Sequence, residues 1–217
     1  MIEGNFIVIE GIDGAGTTTQ TQLLGKWFRD KGLPVHLTRE PTDGPVGALI
    51  RQALKRRFVV AGITGPRPPS WATMTLLFAA DRLDHLESEV VPNILDGVTV
   101  VSDRYDLSSL TYQSATAREG TSESVVDWVR SANSRARRPD LTIVLDVDPE
   151  VAAQRRRDRS FTAELYEENT LQQSLAAIYA KAETLVPGDL LVHIDGNQSE
   201  QAVHAAVVRA VMKMRGE

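Results

Sequence analysis

Apolar residues run along this chain in two alternating textures. Short β-branched runs occur at NFIVIE (5–10), PVHLTRE (34–40), VTVVSDR (98–104), DLTIVLDVD (140–148) and LLVHID (190–195). Most are near-continuous, the pattern of strands covered on both faces. Between them apolar residues recur at helical spacing. Thr18–Lys31 carries Leu23, Leu24, Trp27 and Phe28; Thr73–Leu95 carries Leu76, Leu77, Leu83, Leu86, Val90 and Ile94. Further helices are predicted over Ser122–Ser134, Leu171–Leu185 and Ser199–Met214. Strands alternating with helices predict βαβ units, hence an α/β fold with a parallel sheet. GITGPRPPS (62–70) is predicted to be a loop, and no internal repeat or domain boundary is visible.

Composition narrows the class without choosing a function. The 217 residues suffice for one large domain or two small ones, and the 42 % hydrophobic content is that of a globular protein. The formal net charge of -5 argues against broad nucleic-acid binding, though not against a local cationic pocket. There is no cysteine, which excludes disulfides and thiol chemistry. His36, His85, His193 and His204 lack metal-ligand spacing. No signal peptide is recognised, and no window approaches the ~18 apolar residues of a membrane span. These features predict a soluble, cytoplasmic protein with no membrane partner.

The first candidate chemistry follows the first strand. GIDGAGTTTQ (11–20) has the glycine spacing of a phosphate-cradling loop, G-x-x-x-x-G-K-[ST], in the required strand–turn–helix setting. Backbone amides of Gly11, Ile12, Asp13, Gly14, Ala15, Gly16, Thr17, Thr18 and Thr19 would then face a phosphate chain at a helix N-terminus. Thr18 would place its hydroxyl on Mg²⁺. The motif's lysine is absent: position 17 is threonine. A plain glycine turn joining strand to helix is the alternative.

Three further motifs bear on that choice. VTVVSDRYDLSSLTYQ (98–113) is an apolar strand ending in Asp-Arg, where open α/β sheets bind ligands. Asp103 could hold Mg²⁺ through water and Arg104 could grip a phosphate; a strand-end ion pair is the alternative. TREPTDGP (38–45) puts Arg39 just past another strand. In LLFAADRLDHL (76–86), Phe78 and Arg82 lie four apart on one helical face, fit to stack a base and bond its edge. A core Phe beside a surface Arg–Asp pair is the competing reading.

Together, FIVIEGIDGAG, TREP, LLFAADRLDHL, VVSDRYDLSSLTYQ and ELYEENTLQQSLAAIY resemble the thymidylate kinases, P-loop enzymes that phosphorylate dTMP. The resemblance runs from Phe6 to about Val207. It implies a three-layer P-loop NTPase fold, with a five-stranded parallel sheet and helices on both faces. It also implies one domain over residues 1–217, a lid at about 153–168, ATP as donor, Mg²⁺ and a homodimer. By resemblance, Asp13 meets the acceptor 3′-hydroxyl, while Arg39 and Arg104 hold its phosphate. Phe78 stacks on thymine and Arg82 bonds its O4 edge. Ser108, Ser109 and Tyr112 line the base pocket with Gln113 close by, and Tyr166 covers the sugar. Tyr105 would exclude a ribose 2′-hydroxyl. Gly196, Asn197 and Gln198 fall where the family's adenine loop lies.

Thr17 leaves the donor phosphates without their usual cation. RRRDRS (155–160), at the family's lid, is the leading replacement, with Arg155, Arg156, Arg157 and Arg159 as candidate catalytic groups. A solvated basic helix face is the alternative. Lys55, Arg56 and Arg57 form a second candidate cluster, and Lys26 lies too far along the first helix. Two other functions compete: a kinase for another pyrimidine monophosphate, and a nucleotide-binding pseudokinase.

Overall fold

The computed structural model describes residues 3–63, 65–117, 122–158, 165–166 and 168–217. Among the described residues, one sheet holds five parallel strands: β1 (Phe6–Gly11), β2 (Val35–Arg39), β3 (Thr99–Asp103), β4 (Leu141–Asp146) and β5 (Leu191–Asp195). Their order is β2-β3-β1-β4-β5. All correspond to the apolar runs of the sequence, as the expected α/β layering requires.

β1 is buried throughout, which explains its near-continuous apolar character. Its side chains alternate between two cores. Phe6 and Val8 pack with Val100, Leu86, Val90 and Ile94. Ile7 and Ile9 join Leu24, Phe28, Val207 and Val211 in the larger core. Apart from Val100 on β3, those partners lie on helical segments, so helices cover both faces of the sheet. β1 pairs β3 on one side (Ile9 opposite Asp103) and β4 on the other (Gly11 opposite Leu145). The chain therefore crosses over β1 between β3 and β4, and the crevice at such a switch point is where α/β sheets bind ligands.

The helices α1 (Thr17–Asp30), α6 (Ser122–Ala132) and α10 (Glu200–Arg215) agree closely with the periodicity. The long predicted helix begins at Trp71, where Ser70 Oγ accepts from the Thr73 amide at 3.1 Å. It runs as α3 (Trp71–His85), a wider π turn (Leu86–Val90) and α4 (Val91–Leu95). The π turn ends two residues before Pro92, which cannot donate a backbone hydrogen bond. The helix expected over 171–185 is divided into α8 (Asn169–Tyr179) and α9 (Ala182–Leu185), with Lys181 between them at φ -126°, ψ 29°.

Three helices escaped the sequence pattern: α2 (Pro45–Leu54), α5 (Asp106–Thr116) and α7 (Pro149–Arg157). α2 and α7 are short and start at a proline, a favoured first helical position. α5 buries polar and apolar residues alike, from Asp106 and Ser109 to Tyr112 and Gln113, so it has no clean polar face to read. No helix among the described residues is long and apolar enough to cross a membrane.

Ile143, fully buried in β4, is a measure of this core. Ile143→Ala is expected to lower unfolding stability by about 2–5 kcal/mol, read from urea denaturation, with the fold retained.

Candidate active site

The Gly-rich loop closes β1 onto α1. Gly14 and Gly16 take φ of 90° and 98°, a region that side-chain-bearing residues rarely enter. At Gly14 the constraint is also steric, because a Cβ there would lie 2.4 Å from the Ala152 carbonyl oxygen of α7. Gly16 occupies the N-cap of α1 and supplies no capping side chain, so first-turn amides are left for an anion. Thr17 is buried in that first turn. Thr18 Oγ1 donates to Asp103 Oδ2 at 2.5 Å, while Asp103 Oδ1 is buried without a partner among the described residues. A hydroxyl and a carboxylate oxygen converging beside a phosphate-type loop suit a hard divalent cation. No group of three His, Asp or Glu side chains able to hold a metal occurs among the described residues, so phosphate and water oxygens would complete any such coordination.

A cleft opens beside the loop. Phe78 and Arg82 line it from α3, and Asp13 and Arg104 line it at the sheet edge. Ser108, Ser109, Tyr112 and Gln113 contribute from α5, with Tyr166 facing the Tyr112 ring at 5.5 Å between centroids. The fold thus collects at one place residues whose sequence separations exceed 90 positions. Arg104 donates to the Gly11 carbonyl at 2.9 Å, to Ser108 Oγ at 3.1 Å and to Asp13 Oδ1 at 2.8 Å.

Residues 9–207 match the family model for Thymidylate kinase. The chain belongs to the thymidylate kinase family. Similar proteins include a probable thymidylate kinase of Pyrococcus horikoshii, 37 % identical over 210 residues and covering 97 % of each chain. One from Pyrobaculum aerophilum is 42 % identical over 176 residues, 80 % of each chain. A thymidylate kinase of Dinoroseobacter shibae is 38 % identical, covering 94 % of this chain and 95 % of its own. The sheet order and helical layers accord with the three-layer P-loop fold expected of this family.

Several candidate residues sit elsewhere. Arg39 is exposed and pairs with Asp43 at 2.8 Å, outside the residues that line the cleft. Arg157 donates to Gln154 on its own helix. Arg159 lies outside the described residues. By contrast, Arg156 reaches the Asp13 carbonyl at 2.6 Å, and Arg155 reaches the carbonyls of Gly196 at 3.0 Å and Ala15 at 3.5 Å. Arg155, Gly16, Thr19, Gly196 and Gln198 line a second groove on the far side of the loop. Asn197 is tied to the Asp148 amide and to Asp195, which shapes the turn after β5.

Four residues that the sequence reading missed organise this edge. Glu10, the polar end of an apolar run, accepts from the Tyr105 and Ser108 amides at 2.8 and 3.1 Å. It also accepts from Ser108 Oγ at 2.6 Å and Tyr179 Oη at 2.9 Å. It therefore caps α5 from the adjacent strand. Gln172 joins Asp13 Oδ2 (3.0 Å) to the Tyr166 carbonyl (2.7 Å). Glu40, next to Arg39 in TREP, and Asn133 both grip Arg82. A charged residue closing a strand is a usable signal for Glu10; Gln172 and Asn133 carry none.

Burial pushes the Glu10 carboxyl up to about 7, against the opposing effects of Arg104 and its hydrogen-bond donors. Burial also opposes the Arg104 charge, yet Tyr112, Asp13, Tyr179 and Glu10 hold that guanidinium well above the ordinary arginine range. Because Glu10 is more basic when folded, its stabilising contribution is complete below pH 4.5 and is lost as pH rises through about 7. Urea unfolding across that window should show a loss on the order of 3 kcal/mol relative to Glu10→Gln, whose stability lacks this slope.

Proposed function

We propose that this chain transfers the γ-phosphoryl group of ATP to dTMP, forming dTDP and ADP. The observation that carries the reading is the junction of a base-sized cleft with the Gly-rich loop through Asp13 and Arg104. Phe78 offers a flat apolar face for a pyrimidine, and Arg82 a cation at its edge. Arg104 would hold the acceptor phosphate, and Asp13 would accept from the sugar 3′-hydroxyl. The donor triphosphate lies along the loop amides, with its base toward the groove beside Gly196 and Gln198. Thr18 and Asp103 are the residues suited to Mg²⁺, which supplies charge neutralisation of the phosphates when bound.

Phosphoryl transfer requires little beyond position and positive charge. With Thr17 neutral, we assign the missing charge to Arg155 and Arg156. Arg156 reaches the Asp13 carbonyl of the loop at 2.6 Å and Arg155 the Ala15 carbonyl at 3.5 Å, so both stand beside the path of a triphosphate entering the loop. They belong to a lid of about residues 153–168 within a single kinase domain. The Leu165 amide, bonded to the Leu54 carbonyl at 3.0 Å, ties that lid across the cleft. Exposed Leu49 on α2 and Leu76 and Leu83 on α3 support a homodimer through these helices. A cytoplasmic location, where ATP and dTMP are both present, fits this activity.

The test is ADP formation by purified protein with ATP, Mg²⁺ and dTMP. Arg155→Ala and Arg156→Ala should each lower kcat about 10²–10³-fold, as loss of a charge-stabilising donor does. Arg157→Ala should change it less than about 3-fold, since that side chain faces Gln154. Wild-type activity in both of the first two variants rejects compensation by the lid. Binding of both nucleotides without turnover in the unmodified protein rejects the kinase reading.

A further inference from the structure

Arg82 is almost wholly enclosed, and both of its terminal nitrogens donate within the protein. One terminal nitrogen donates to Asn133 Oδ1. The other donates to Glu40 Oε2 at 2.5 Å and Ser109 Oγ at 3.3 Å. Its Nε is buried and has no hydrogen-bond partner among the described residues. Asn133 is itself held, because its amide nitrogen donates to the Val129 carbonyl at 2.8 Å, which turns its oxygen toward Arg82.

Glu40 is held equally firmly from behind. Its second oxygen accepts from His85 Nδ1 at 3.1 Å. A carboxylate accepts, so Nδ1 carries the proton, and Nε2 lies 2.7 Å from Thr38 Oγ1. Glu89, on the π turn that follows α3, lies 3.6 Å from His85 Nε2 and also contacts His36. The groups facing His85 are thus Glu40 and Thr38 from the β2 end and Glu89 from the π turn. A continuous polar chain runs from the half-exposed His36–Glu89 pair inward through His85 and Glu40 to Arg82, at the cleft wall.

We infer that His85 and Glu40 are positioning residues that fix the Arg82 guanidinium at the cleft wall, where it meets the base. This inference rests on the cleft being the acceptor site for dTMP. A rigid donor there accepts a pyrimidine with a carbonyl at position 4 and rejects one with an amino group, since the amino group leaves two donors opposed. Fixing matters because a long arginine side chain free to swing would follow either base. Neither His85 nor Glu40 has to touch the nucleotide for this effect.

Two polar variants separate the roles of the imidazole nitrogens. In His85→Asn the amide nitrogen takes the place of Nδ1 and keeps the bond to Glu40. In His85→Gln the amide reaches the Nε2 position and leaves Glu40 without its donor. KM for dTMP should rise about tenfold in His85→Gln, with kcat and the KM for ATP within about twofold of wild type. The preference for dTMP over dCMP should fall in the same variant. His85→Asn should restore both quantities. Glu40→Gln, which weakens the grip on Arg82 directly, should reproduce the His85→Gln pattern. Equal behaviour of the Asn and Gln variants overturns the inference, as does a parallel loss in kcat and both KM values. A wild-type protein that turns over no dTMP fails at the earlier step, the acceptor assignment itself.

Discussion

Arg104 is the constraint on which the rest of this site depends. It sits just past β3 at φ 75°, a conformation unfavourable for a residue with a side chain, and its amide bonds the Ile9 carbonyl. From there its guanidinium bridges the Gly-rich loop to α5 through Gly11, Asp13 and Ser108. Glu10 lies on the other side of Ser108 and holds the start of α5. Glu10, Arg104 and Asp13 therefore alternate in charge along one edge of the sheet. Glu10 is fully buried and Arg104 and Asp13 partly so, and removing one member leaves its neighbours without their partner.

The same logic governs the opposite wall of the cleft. Arg82 is a cation taken out of water, and Glu40 with the oriented amide of Asn133 compensates its desolvation. The cation and its partners come from three separate elements: α3, the segment after β2, and the turn after α6. Rigidity at the wall is thus a property of how these elements dock, and not of any one of them. The aromatic groups beside it, Phe78 and Tyr112, give apolar area, while the ionic groups set direction.

Thr17 shifts the question of charge from the loop to its surroundings. A lysine in the loop would be present whether or not any other element had closed. Arginines on α7 are brought to the loop by the packing of α7 on Gly14, where the backbones are too close for any side chain. In the proposed reaction the cation is consequently supplied by a helix packed directly against the loop.

Much of this architecture was legible from local pattern. Near-continuous apolar runs marked the five strands, and glycine spacing after the first of them marked the loop, since backbone geometry and burial are imposed residue by residue. The resemblance carried by FAADR and DRYDLSSLTYQ pointed to Phe78, Arg82 and Arg104, all of which the fold brings to one cleft. α5 was hidden because a helix buried on nearly every side has no polar face to reveal its period. Arg39 stood beside the right strand in the sequence, yet its side chain turns to Asp43. Glu10, Gln172, Asn133 and His85 have no motif of their own; only packing brings them within hydrogen-bond range of Ser108, Asp13, Arg82 and Glu40. The chain's own sequence determined the sheet, the loop and the chemical groups available. Tertiary structure decided which charges meet, because hydrogen bonds and ion pairs between distant segments depend on a few ångströms that no local pattern encodes.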